Sequence, residues 1–78
     1  MEKKLKIYIR LQEIINDRQI DGRPMTQKDV AELSKLRRAT ISEICTNTRT
    51  TINREHLEAI AQALGIKDVS ELIEFRYE

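Results

Sequence analysis

Apolar and polar positions change period several times along this chain. Residues 4 to 9, KLKIYI, alternate strictly, which is the two-residue period of a strand. From about Ile9 the spacing of Leu11, Ile14 and Ile15 is helical, and this helix is expected to end near Gln19. Asp21, Gly22, Arg23 and Pro24 read as a loop. Two short helices are predicted next, over 27–34 and 38–46, followed by a polar connection from Asn47 to Ile52. Asn53 suits the cap of a fourth helix with the stripe Leu57, Ile60, Ala61 and Leu64, and Gly65 suits its end. A last short helix is placed over 69–72. The closing segment IEFRYE alternates again through Ile73, Phe75 and Tyr77. An antiparallel ribbon joining it to the strand-like start is one reading. The other starts the first helix at Lys3 and lets the tail fray. A two-stranded ribbon is marginal alone and needs packing against the bundle.

The segment TQKDVAELSKLRRATISEICTN, Thr26 to Asn47, carries the chemistry. It reads as two short helices joined by a tight turn, the second opening on Arg37 and Arg38. Val30, Ala31 and Leu36 are apolar on the first helix and turn, and Ile41 and Ile44 follow on the second. Small Ala31 stands where the helices would cross. Thr26 with Asp29 three residues later forms a capping box, each able to bond the other's backbone amide. A short basic helix held by a partner helix fits the major groove of B-DNA, about 12 Å wide.

These residues resemble the lambda-repressor-like, Cro-type helix-turn-helix regulators, the XRE family. The resemblance rests on the TQKDVA opening, the AT-I-S run at Ala39 to Ser42, and LEAIAQALGI from Leu57 to Ile66. It implies an all-α bundle of four to five short helices, with the small terminal ribbon as a possible addition. It also implies a transcriptional regulator that binds double-stranded DNA sequence-specifically, with a repressor as the first reading. Lys35 stands where the family usually has a turn glycine, so the turn needs a positive φ or a rearrangement. Arg37 stands where Ser or Thr often caps the recognition helix.

Arg38, Ala39, Ser42 and Glu43 are the candidate base contacts, on the N-terminal half of the recognition helix. Arg38 can pair bidentately with guanine, Ala39 can meet a thymine methyl, and Ser42 can donate or accept. Glu43 can accept from cytosine N4, reject wrong bases or hold Arg38. Gln27, by resemblance, contacts a phosphate at a helix N-terminus, where free amides favour anions. Arg37, Thr40, Thr46, Asn47, Thr48 and Arg49 are the further phosphate candidates, although NTRTT also reads as an ordinary polar loop. His56 and Cys45 read as a surface residue and an apolar filler.

At 78 residues the chain is expected to form a single domain, residues 1–78, burying roughly 60–65% of its unfolded surface. One phenylalanine and no tryptophan make the core aliphatic. A single cysteine excludes an internal disulfide, and Lys3, Lys4, Lys6 and Arg10 break up any signal-peptide-like run. No apolar stretch suits a membrane span, and a cytoplasmic protein is the expectation. Net charge is only +1, but its distribution is uneven. Residues 27–54 carry six basic against three acidic residues, whereas residues 55–78 carry two against six. That polarity would turn the motif toward phosphates and the tail away.

One recognition helix reads few base pairs, so a homodimer on a palindromic operator is expected, with half-sites about 34 Å apart. Its interface is expected in the apolar C-terminal part (Ile66, Val69, Leu72, Phe75) or at the ribbon edge. The alternative is a protein-interaction or antitoxin-like module on the same helices. An enzyme is disfavoured, since no paired carboxylates, glycine-rich phosphate loop or nucleophile with a base is apparent. RNA is disfavoured because no aromatics interleave the basic residues. No cofactor, metal or small-molecule ligand is expected.

Overall fold

The computed structural model describes residues 3–77. The chain runs β1 (Leu5–Ile9), α1 (Leu11–Asn16), β2 (Gln19–Ile20), β3 (Arg23–Pro24), α2 (Gln27–Ser34), α3 (Arg38–Thr46), α4 (Arg54–Leu64), α5 (Val69–Leu72) and β4 (Ile73–Tyr77). Among the described residues there are thus five helices and two small antiparallel sheets, so "all-α" describes only the helical part. The limits of α2, α3 and α5 coincide with the expected ones: Thr26 and Asp68 cap α2 and α5, and left-handed Lys35 and Asn47 end α2 and α3.

Two expectations need correction. The first helix stops at Asn16 rather than near Gln19, and the expected loop is a hairpin in which Gln19 pairs with Pro24 and Ile20 with Arg23. Asp21 and Gly22 adopt φ of 51° and 76°, two successive positive values, which is what a two-residue turn between twisted strands requires. Arg23 then grips Asp29 of α2 through two hydrogen bonds of 2.6 and 2.9 Å, tying hairpin to helix.

Asp29 is the polar pivot of this corner. Its amide donates to Thr26 Oγ1 at 3.3 Å, and its carboxylate accepts from the Thr26 amide at 2.8 Å, which completes the expected capping box. The Arg23 guanidinium, and after it the Thr26 bonds, hold this carboxyl well below the usual carboxylate range. A lowered folded-state value means its stabilisation is complete above the ordinary value of 3.8 and is lost as pH falls further. Melting temperature should therefore drop between about pH 4 and 2, and Asp29→Asn should flatten that drop. Thermal melts of both proteins across this range check it; parallel curves would refute it.

The core is aliphatic. Leu11, Val30, Ile41 and Ile60 are fully buried, with Ile15, Ala31, Leu64, Ile66 and Leu72 around them. Leu36, Ile44, Leu57 and Ala61 pack partly against this centre. Gly65, at φ 69°, ends α4 in the left-handed form, and Arg18 donates to the Leu64 carbonyl at 2.6 Å, placing a cation at that helix's negative end.

The ribbon forms: β1 and β4 pair antiparallel, Leu5 opposite Tyr77, Ile7 opposite Phe75 and Ile9 opposite Ile73. Its even-numbered face lies against α1, where Arg76 stacks 3.5 Å from the Tyr8 ring centre and pairs with Glu13 at 2.6 Å and Glu74 at 3.0 Å. Only the base of its odd-numbered face, Ile9 and Ile73, reaches the core. The rest projects, and the molecule measures 47 × 22 × 22 Å.

Candidate nucleic-acid interface

The tight turn between α2 and α3 hangs on Lys35. Its φ of 63° is left-handed, as a non-glycine residue in this place must be, and both the Lys35 and Leu36 amides donate to the Ala31 carbonyl. A β-carbon in this region costs about 1–2 kcal/mol, part of which glycine returns as unfolded-chain entropy. Lys35→Gly should therefore raise stability by about 0.5–1 kcal/mol, or about 2–8 °C, measured by thermal denaturation. A lower melting temperature would show that the lysine side chain does more than fill the turn.

The recognition helix α3 is fixed from below by Ile41 and Cys45, exposed 0% and 6%. Burial pushes the Cys45 thiol up to about 11, so the inert-filler expectation agrees with its chemistry. Arg38, Ala39, Ser42 and Thr46 of the same helix are exposed. Arg37 occupies the N-cap position without a side-chain cap bond. Among the described residues neither Arg37 nor Arg38 is held by a side-chain hydrogen bond or ion pair. Two unconstrained guanidiniums thus open the helix, beside amides that its own side chains leave uncapped.

The remaining candidates are placed differently. Glu43 is half-buried, and its carboxylate receives Arg49 Nε at 3.1 Å and Nη2 at 3.3 Å, not Arg38. This couples a base-contact candidate to a phosphate candidate. The Thr46 hydroxyl donates to the Glu43 carbonyl and can accept from the Thr48 hydroxyl, each at 3.2 Å, stiffening the start of the loop. Gln27 opens α2 and donates to Gln12, which donates in turn to Asn16, so its amide is oriented from α1. Thr40 faces a cleft of about 350 Å³ shared with Ile44, Asn47, Thr51, Asn53 and His56.

Asn47 departs furthest from its expected role. It ends α3 at φ 56°, and its side chain accepts from the Ile9 amide at 2.8 Å and donates to the Ile9 carbonyl at 3.1 Å. Reaching a phosphate would break both bonds. Its visible job is to clamp the ribbon base to the recognition helix. Asn53 caps α4 as expected, accepting from the His56 amide, and lines the same cleft as Thr40.

The Cro/C1-type HTH DNA-binding domain matches residues 10–78, nearly the whole chain and all of the helical frame just described. The chain belongs to this family. No curated protein and no solved structure matches it. Membership makes this protein a helix-turn-helix DNA-binding regulator in general terms, with double-stranded DNA as its partner. No helix among the described residues is long and apolar enough to cross a membrane.

Proposed function

We propose that this protein is a single-domain cytoplasmic repressor that recognises a palindromic operator as a homodimer, one α3 in each of two major-groove half-sites. The observation that carries the reading is the exposure of Arg38, Ala39 and Ser42 on a helix anchored by buried Ile41 and Cys45, with Arg37 and Arg38 unpaired among the described residues. Arg38 is assigned to guanine, Ala39 to a thymine methyl and Ser42 to a neighbouring base edge. Glu43 sets the angle of Arg49 and excludes bases that offer it only acceptors.

Gln27, Arg37, Thr40, Thr46, Thr48 and Arg49 are assigned to phosphates on either side, with Asn47 as the strut that positions them. Each arginine that neutralises a phosphate adds roughly 0.9 to the slope of log affinity against log salt. No catalytic step, cofactor or small-molecule ligand enters the reading. It is tested by retaining duplexes from a randomised pool at about 150 mM salt and sequencing them. An enriched inverted repeat is the expected result. A pool that stays random would replace this reading with the interaction-module one, whose surface would be the projecting ribbon.

A further inference from the structure

The odd-numbered face of the ribbon has no counterpart in the fold. Leu5, Ile7, Phe75 and Tyr77 are 51%, 53%, 67% and 70% exposed, and their register puts all four on one side. The other side is occupied by the Arg76, Tyr8 and Glu13 cluster, so only this side is open. At its base, Ile73 leads into an apolar cleft of about 550 Å³ between α4 and α5, lined by Leu57, Ala61, Ile66 and Val69. A projecting apolar ridge thus continues directly into an apolar hollow.

We propose that a second copy of this chain covers this face. The two ribbons pack face to face about a two-fold axis near the Ile7–Phe75 pair, each tip lying at the mouth of the other copy's cleft. The inference rests on the homodimer reading above and names its surface. It also corrects the expected interface: Ile66 and Leu72 are 9% and 3% exposed and belong to the core, while Val69 and Phe75 are open.

Area and geometry select a second copy as the occupant. Taking about 200 Å² for a fully exposed side chain of this size, the four residues offer about 500 Å² per copy. A pair buries about 1,000 Å², the floor for a specific interface, before any contact in the cleft is added. Each strand spans about 17 Å, so an antiparallel overlay centred on Ile7 and Phe75 sets the Leu5–Tyr77 tip against the Ile73 base. The hollow carries Arg54 and Lys67 beside Glu58 and Asp68, so its charges balance and the match is apolar. A two-fold operation makes that apolar match twice, as an isologous contact requires.

Sedimentation velocity of the full chain without DNA, from about 1 to 200 µM, tests the proposal, with Phe75→Lys, Tyr77→Lys and Arg38→Ala alongside. The wild type and Arg38→Ala should dimerise, and each ribbon variant should weaken the dimer at least about 10-fold. Circular dichroism confirms that each variant is folded, and with two exposed sites the loss of one variant leaves the other to decide. A monomeric wild type across the range, or folded ribbon variants that still dimerise, would overturn it. Titration of a single half-site duplex keeps the two readings apart. Retained binding by monomeric Phe75→Lys supports the surface as separate from the DNA face. A dimeric wild type that binds no duplex would sink the operator reading alone.

Discussion

Replacing Asn47 by alanine is expected to cost about 3 kcal/mol, one of the largest losses available to a single substitution in this chain. Three effects combine. The Ile9 amide and carbonyl, at a buried position, lose their partners at 2.8 and 3.1 Å. Each unsatisfied group costs about 1–3 kcal/mol, less where water can enter. Alanine must also hold φ near 56°, which asparagine tolerates far better. The melting temperature should fall by about 12–24 °C. Asn47→Gly relieves the backbone cost but restores no hydrogen bond, so it should fall between alanine and wild type. Asn47→Asp keeps an acceptor for the Ile9 amide yet sets a carboxylate against the Ile9 carbonyl, and should resemble alanine. Equal melting points for all four proteins would mean that the clamp contributes nothing.

The second large effect concerns affinity. Arg38→Ala should cost about 1–3 kcal/mol per half-site, or about 5- to 160-fold, and a dimer engaging two half-sites should lose about 30- to 25,000-fold. The selected sequences should also lose preference at one position per half-site while the others persist. Arg37→Ala should behave differently, lowering binding to all duplexes alike and reducing the salt slope by roughly 0.9. Fluorescence anisotropy on the selected operator and on single-base variants, at several salt concentrations, separates the two. If Arg38→Ala leaves the sequence preference intact and changes only the slope, Arg38 holds a phosphate and another residue reads the base.

What the sequence made legible was local in origin. The capping box of Thr26 and Asp29, the left-handed ends at Lys35 and Gly65 and the helical stripes each depend on neighbours within four residues. They place α2, α3 and α4 well. The ribbon could be read because alternation survives in both strands, although nothing local says that residue 5 meets residue 77. The hairpin at Asp21 and Gly22 was missed although Asp-Gly is a strong turn signal, because two-residue strands show no alternation. The Arg23 contact with Asp29 and the Asn47 contact with Ile9 were missed for another reason. Both depend on where the folded chain carries an exchangeable polar side chain, and an asparagine in a polar loop looks alike whether it faces phosphate or backbone. For that reason α3 as the recognition element was easier to identify than the separate tasks of Glu43, Arg49 and Asn47.

The pairing of first strand with last also sets an order of events during synthesis. The segments forming α1 to α5 all precede β4 in the chain, so the helical frame can assemble before the ribbon has its second strand. Closing so long a loop is entropically costly until the helices have drawn its ends together, which makes β1–β4 pairing a late step. A nascent or truncated chain lacking β4 would expose β1 as an unpaired, partly apolar edge. Subunit pairing through the ribbon would then be reserved for chains whose helices are already in place.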